Sequence, residues 1–181
     1  MINTKIKSLN HSKKTRKFNK IRFLIFHYTG MQSKRESIKR LTNLRHKVSC
    51  HYLVDRKGEV FQLVEDLYVA WHAGKSKWKK LKNLNENSVG IELVNKGHRL
   101  GYQKFSSMQI KTLVELCLIL KKKYKIKSSC VLGHSDISPL RKIDPGEKFP
   151  WKHLSKKGIA IWYPNIKNIK NIKNNLNKKK N

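Results

Sequence analysis

Acidic side chains are scarce in this chain: 11 Asp and Glu stand against 42 Lys and Arg among 181 residues, a formal net charge of +31 at pH 7. Long apolar runs are missing too. The longest candidate, Leu113–Leu120, is short and interrupted by Glu115, whereas a bilayer span needs about 20 residues. A transmembrane segment is excluded. The first 20 residues carry seven basic side chains, no acid and no apolar stretch that could serve as a signal-peptide core. The run Phe23–Phe26 is too short for that role, so ordinary secretion is not expected. Three cysteines (Cys50, Cys117 and Cys130) are an odd count without zinc-finger spacing. They argue against a disulfide framework and for the reduced thiols of a cytoplasm, with export by an unadvertised route left open.

What is abundant is positive charge, spread over the whole chain. Residues 1–20 form a basic N-terminal segment. Residues 165–181, NIKNIKNIKNNLNKKKN, carry six lysines and no acid. That composition cannot bury a core and reads as a disordered or loosely helical tail. The chain's 38% apolar, 9% aromatic content is enough for one modest core, which falls to the remainder, 21–164. Such charge draws polyanions in general. The tails lack the interleaved aromatics of a single-strand binder, and no helix-turn-helix, RNA-recognition signature or zinc finger is present. No specific nucleic-acid partner is expected, and the charge could equally be solvated surface.

The element pattern alternates. Ile21–Phe26 reads as a buried strand that delivers His27 at its end. Ser33-Lys34-Arg35-Glu36 and Ser106-Ser107-Met108-Gln109 are capping boxes that open two helices. The first helix is striped by Ile38, Leu41, Leu44 and Val48, the second by Ile110, Leu113, Val114, Cys117 and Leu120. His51–Asp55 and Glu59–Val64 read as strands around an Arg56-Lys57-Gly58 turn, Trp71–Asn87 as a loop, and Ser88–Val94 and Cys130–Leu132 as further strands. This predicts an α/β domain with a central mixed sheet and helices packed on it.

His27 and His134 each follow a strand end, where the loops of such a sheet gather, and Asp144 lies ten residues beyond His134. Two imidazoles and a carboxylate are a common donor set for catalytic zinc, with a fourth position left for water. Glu92 and Lys142 are residue types suited to a general base and an oxyanion partner. Spacing alone does not distinguish this from coincidence, nor Glu92 and Lys142 from a structural ion pair.

The wording around these residues is more specific. Phe26-His27-Tyr28-Thr29, Ser49-Cys50-His51-Tyr52-Leu53-Val54-Asp55, Ala70-Trp71-His72-Ala73-Gly74, Ser88-Val89-Gly90-Ile91-Glu92-Leu93, Gly133-His134-Ser135-Asp136-Ile137 and Lys142-Ile143-Asp144-Pro145-Gly146 occur in this order. Over roughly residues 21–155 the chain resembles the zinc-dependent N-acetylmuramoyl-L-alanine amidases of the AmpD/AmiD type. T7-like lysozymes and peptidoglycan recognition proteins are more distant relatives. The resemblance implies a zinc amidase catalytic domain over 21–164. It implies one Zn2+ held by His27, His134 and Asp144, with Glu92 as general base on the zinc-bound water and Lys142 steadying the oxyanion. Cys50 stands where the phage relatives carry a tyrosine, and Glu92 takes over as in the bacterial amidases. Trp71 and His72 fall in a loop that borders the substrate groove in relatives. Trp78 and Asn85 give that loop an AmiD-like character. Arg141 is a candidate contact for a stem-peptide carboxylate, or else a solvated charge.

The implied reaction is hydrolysis of the bond between N-acetylmuramic acid, or its anhydro form, and L-alanine, in peptidoglycan or in muropeptides during recycling. The competing class is a non-catalytic peptidoglycan-binding module. A third reading makes the charge itself the function, and one deletion separates it from the first. Removing residues 165–181 leaves the activity of an amidase on small muropeptides unchanged, whereas a tail-driven polyanion binder loses its affinity, as measured by hydrolysis and heparin retention side by side.

Overall fold

The computed structural model describes residues 2–162, so the Lys/Asn-rich run 165–181 lies outside the described residues. In chain order the strands are β1 (Ile2–Asn3), β2 (Phe23–Tyr28), β3 (Tyr52–Val54), β4 (Val60–Gln62), β5 (Lys77–Trp78), β6 (Leu81–Lys82), β7 (Ser88–Leu93) and β8 (Val131–Gly133). The helices are α1 (Lys34–Thr42), α2 (Ser107–Tyr124), α3 (His134–Ile137) and α4 (Trp151–Lys156). Six strands form one mixed sheet in the order β1-β4-β3-β7-β2-β8, while β5 and β6 make a separate hairpin inside the expected loop. Within the large sheet β3 and β4 run antiparallel and the other neighbours run parallel.

Strand β2 is apolar on both faces because both are covered. Leu24 and Phe26 point to one side, where Val89, Ile91 and Leu93 of β7 meet Leu113, Leu116, Cys117 and Leu120 of α2. Phe23 and Ile25 point to the other, against Ala73, Leu84, Leu132 and Ile137. Side chains alternate along a strand, so His27 falls on the Phe23–Ile25 side. The functional face is therefore the one away from α2.

Both capping serines do their expected work: Ser33 Oγ accepts from Glu36 N at 3.1 Å and Ser106 Oγ from Gln109 N at 3.1 Å. The reciprocal half of each box is absent. The Glu36 carboxylate receives Gln32 N instead, and the Gln109 amide donates to the Val54 and Val94 carbonyls at 3.0 and 3.2 Å, fastening α2 to the sheet. Helix α1 stops at Thr42 because Asn43 is extended, with φ −77° and ψ 121°. Leu44, expected on the apolar stripe, consequently sits in a short 3-10 turn and is 57% exposed. In the hairpin, Asp55 Oδ1 accepts from Lys57 N and Glu59 N at 2.8 Å each.

The boundary expected at residue 20 does not separate two bodies. β1 pairs with β4, and Ser8, Asn10 and Arg16 are buried. Their side chains supply donors that inward-facing carbonyls of the domain require. Asn10 Nδ2 reaches the Asn43 and Val48 carbonyls at 3.0 and 2.9 Å. Arg16 donates to the Asp66 and Asn85 carbonyls and lies 3.0 Å from His51 Nε2. Among the described residues no helix is long and apolar enough to cross a membrane.

His51 sits in this buried seam, accepting Gly90 N–H at Nδ1 (3.0 Å) with Nε2 3.1 Å from the Tyr68 carbonyl. Burial, reinforced by the Arg16 charge, lowers its pKa from 6.5 to about 3. The native pKa lies below the unfolded one, so as pH falls the unfolded chain takes up this proton first. The associated stability is complete above about pH 6.5 and is lost on descent towards pH 3. At pH 5 the loss from this residue is about 2 kcal/mol. His51→Asn retains a side-chain acceptor for Gly90 N–H and is expected to remove that share of the pH dependence. Urea unfolding of both proteins at pH 7 and pH 5 measures it.

Candidate metal centre and catalytic cavity

The parallel register of β2 on β7 sets His27 directly opposite Glu92, Ile25 opposite Gly90 and Phe23 opposite Ser88, all on the same face. On the other flank β8 pairs Gly133 with Phe26. His134, the next residue and the first of α3, is thereby brought beside His27. Asp144 arrives on the following loop, which is tied to α3 by Ser135 N–H donating to the Asp144 carbonyl at 2.9 Å. His27, His134 and Asp144 are all buried.

Three donor atoms converge. His27 Nδ1 and His134 Nδ1 are 2.9 Å apart, and Asp144 Oδ2 lies 3.0 Å from the first and 3.1 Å from the second. In a tetrahedral zinc site with bonds of ~2.0 Å the donors stand ~3.3 Å apart. The observed triangle is within a few tenths of an ångström of that edge. Donor chemistry fits as well: two imidazoles and a carboxylate suit zinc. Each imidazole has a partner for its other nitrogen, His72 Nδ1 for His27 Nε2 and the Ala73 carbonyl for His134 Nε2, both at 3.0 Å. Glu92 Oε2 is buried without any hydrogen-bond partner, which is what a carboxylate awaiting a water or a substrate proton would show.

Burial removes these groups from their ordinary titration ranges. It lowers His27 to about 4, with the neighbouring His134 charge acting in the same direction and the Asp144 hydrogen bond opposing. It would raise Asp144, but the flanking imidazoles of His134 and His27 outweigh it and hold that carboxyl well below the usual range. Among protein groups alone, burial pushes Glu92 up to about 8, helped by the Asp144 charge and opposed by Lys142. A dication beside Glu92 would be the largest local charge and would bring it down. Cys50 is fully buried, and burial raises its thiol well above the ordinary value, so it offers no nucleophile.

The donors open into a cavity of about 470 Å³ that also receives Glu92, His72, Lys142 and Arg141. Its wall adds Arg40, Lys96 and Arg99, cations that no motif flagged. Trp71 does not line the cavity; its side chain is 36% exposed. His72, expected at the groove's border, lines the cavity wall at only 5% exposure, with its Nδ1 3.0 Å from His27 Nε2. The Arg141 guanidinium donates to the Ala73 and Lys75 carbonyls at 2.9 and 3.0 Å, so its charge is anchored to the 73–75 loop. His98 stands on the rim between Tyr28 Oη and Glu147 Oε2, 2.9 Å from each. Its place depends on the 144–147 loop folding back, which local sequence does not announce.

A family profile described as N-acetylmuramoyl-L-alanine amidase matches residues 17–147. The chain is 38% identical over 157 residues to the N-acetylmuramoyl-L-alanine amidase AmiD of Escherichia coli, covering 80% of this chain and 56% of that protein. It is 40% identical over 107 residues to the 1,6-anhydro-N-acetylmuramyl-L-alanine amidase AmpD of Haemophilus influenzae, covering 59% and 56%. Among solved structures, E. coli AmiD in complex with anhydro-N-acetylmuramic acid-L-Ala-D-gamma-Glu-L-Lys superposes with a TM-score of 0.73 at 36% identity, covering 83% of this chain and 62% of that one. AmpDh3 of Pseudomonas aeruginosa with anhydromuramic pentapeptide gives 0.74 at 34%, covering 85% and 65%. The chain belongs to the N-acetylmuramoyl-L-alanine amidase family, and it spans little more than half the length of the curated relatives it matches.

One residue behind the donors is testable through packing alone. A Cβ at Gly90 would come within 2.3 Å of His72 Cγ, so the strand can carry only hydrogen there. Gly90→Ala is expected to destabilise the protein by about 1–3 kcal/mol, the usual cost of overpacking, as read from its unfolding midpoint.

Proposed function

We propose that this chain is a zinc amidase that hydrolyses the bond between N-acetylmuramic acid, or its anhydro form, and L-alanine in peptidoglycan or muropeptides. The observation that carries this reading is the convergence of His27 Nδ1, His134 Nδ1 and Asp144 Oδ2 in a cavity that also holds Glu92 and Lys142. The muropeptides bound by the AmiD and AmpDh3 structures support the substrate class. A zinc ion held by His27, His134 and Asp144 would supply Lewis-acid polarisation of the carbonyl and acidify water.

The remaining chemistry belongs to the chain's own side chains. Glu92, facing His27 across the β2–β7 register, takes a proton as a water oxygen bonds to the lactyl carbonyl carbon. It returns that proton to the alanine nitrogen as the C–N bond breaks, leaving a free amine and a carboxylic acid whose remaining proton passes to solvent. Lys142, on the loop two residues before Asp144, offsets the negative charge that grows on the carbonyl oxygen. Arg40, Lys96 and Arg99 give the wall a positive potential suited to the free carboxylates of a stem peptide.

Hydrolysis of anhydromuramyl-tripeptide, followed by mass spectrometry for free L-alanyl peptide, tests the reading. Release is expected to stop on chelation and return with zinc. Glu92→Gln is expected to lower kcat by about 10²–10⁴-fold, and Lys142→Ala by about 10²–10³-fold. A zinc-loaded protein that binds muropeptide and intact peptidoglycan but releases nothing from either would instead be a binding module.

A further inference from the structure

We propose that His72 is a positioning residue for the metal centre: with Ser88 behind it and Asn85 beside it, it fixes which nitrogen of His27 is free to bind a metal. The inference rests on the zinc reading above, and it follows from the direction in which each hydrogen bond can run.

The chain of bonds begins at a group that cannot donate. The Leu84 carbonyl accepts the one hydroxyl proton of Ser88. Ser88 Oγ therefore faces His72 Nε2, 3.1 Å away, as an acceptor, and His72 must carry its proton on Nε2. A neutral imidazole then has a bare Nδ1. That bare nitrogen lies 3.0 Å from His27 Nε2, so it accepts the His27 Nε2 proton. What is left on His27 is a bare Nδ1, the atom 2.9 Å from His134 Nδ1 and 3.0 Å from Asp144 Oδ2. The second imidazole obeys the same rule through one step. The Ala73 carbonyl can only accept, so His134 presents its Nε2 proton to it at 3.0 Å and leaves Nδ1 free.

Consecutive residues of one loop thus serve both imidazoles, His72 by its ring and Ala73 by its carbonyl. The loop is held from outside the site. Asn85 Oδ1 accepts from both His72 N (3.1 Å) and Ala73 N (2.7 Å). Gly90 gives the His72 ring its seat, since any Cβ there would collide with it. The ring stands edge-on to His27, with centroids 5.1 Å apart and planes at 78°. A ring only 5% exposed presents little face for stacking on a sugar, whereas it is placed to orient a ligand. Outer partners of this kind are worth about 10–100-fold in metal affinity.

Three variants and two readouts decide the matter. His72→Phe keeps an aromatic ring in the seat and removes the acceptor. His72→Asn gives up the ring but keeps an acceptor near the Nδ1 position, and Ser88→Ala removes the group that sets the His72 tautomer. Zinc dissociation constants come from competition with a chromophoric chelator. Two-bond 1H–15N spectra, recorded with and without zinc, report the protonated nitrogen of each histidine. His72 of the unmodified protein is expected as the Nε2–H tautomer even without metal. His72→Phe is expected to bind zinc about 10–100-fold more weakly and His72→Asn to recover most of that loss. Ser88→Ala is expected to mix the His72 tautomers. A folded His72→Phe with unaltered zinc affinity, or an Nδ1–H His72 in the unmodified protein, overturns the proposal. If His72→Phe does not fold, Ser88→Ala decides: an unaltered tautomer together with unaltered affinity overturns it. An unmodified protein that binds no zinc overturns the metal reading itself, while the His72 tautomer without metal still tests the bond chain.

Discussion

The site depends on a single register. β2 lies parallel to β7 so that His27 faces Glu92, and parallel to β8 so that the residue after Gly133 meets His27. A slip of one residue would turn His27 into the apolar layer beneath α2 and send Phe26 or Tyr28 to the functional face. The register is held by burial on both sides of β2: Leu24 and Phe26 into one core, Phe23 and Ile25 into the other. The positions of His27 and Glu92 are thus by-products of the hydrophobic packing along the same strands. The loops then add what strands cannot, Asp144 and Lys142 from one side and His72 and Ala73 from behind.

Much of this was legible in the residues themselves. The FLIF run, the Ser33 and Ser106 caps and the Asp55–Glu59 turn each rest on local chemistry, and each occurs where local chemistry puts it. The six ordered motifs identified the family and drew His27, Glu92, His134, Lys142 and Asp144 to attention. What escaped was set by distant partners. Leu44 left the helix stripe because Asn43 is extended, its carbonyl taken by Asn10 Nδ2 from the N-terminal segment. Arg16 looked like one more charge in a basic leader until the Asp66 and Asn85 carbonyls, 50 and 69 residues away, required a donor. Arg40 joined Lys96 and Arg99 only when two segments far apart in the sequence met at one cavity.

His72 shows how a motif can be seen and its surroundings still be missed. Beside an exposed Trp71, it reads as a groove residue. The signal that it turns inward lies elsewhere, at Gly90, a glycine in the middle of an otherwise β-favouring buried strand. Such a glycine marks the close approach of another group, and here the group is the His72 ring. Reading Gly90 for what it leaves room for, rather than for what it lacks, would have placed a buried ring beneath His27.

The parallel topology also fixes the order in which the chain can be completed. β2 is an interior strand of the sheet, yet its neighbours are residues 88–93 on one edge and 131–133 on the other. As the polypeptide leaves the ribosome, an apolar segment with two unpaired edges must wait for more than sixty residues before the first is covered and for about a hundred before the second. Open strand edges of this sort are templates for pairing with other chains, and pairings so remote along the chain form slowly. The strand that carries His27 is therefore, during synthesis, a segment open to pairing with other chains.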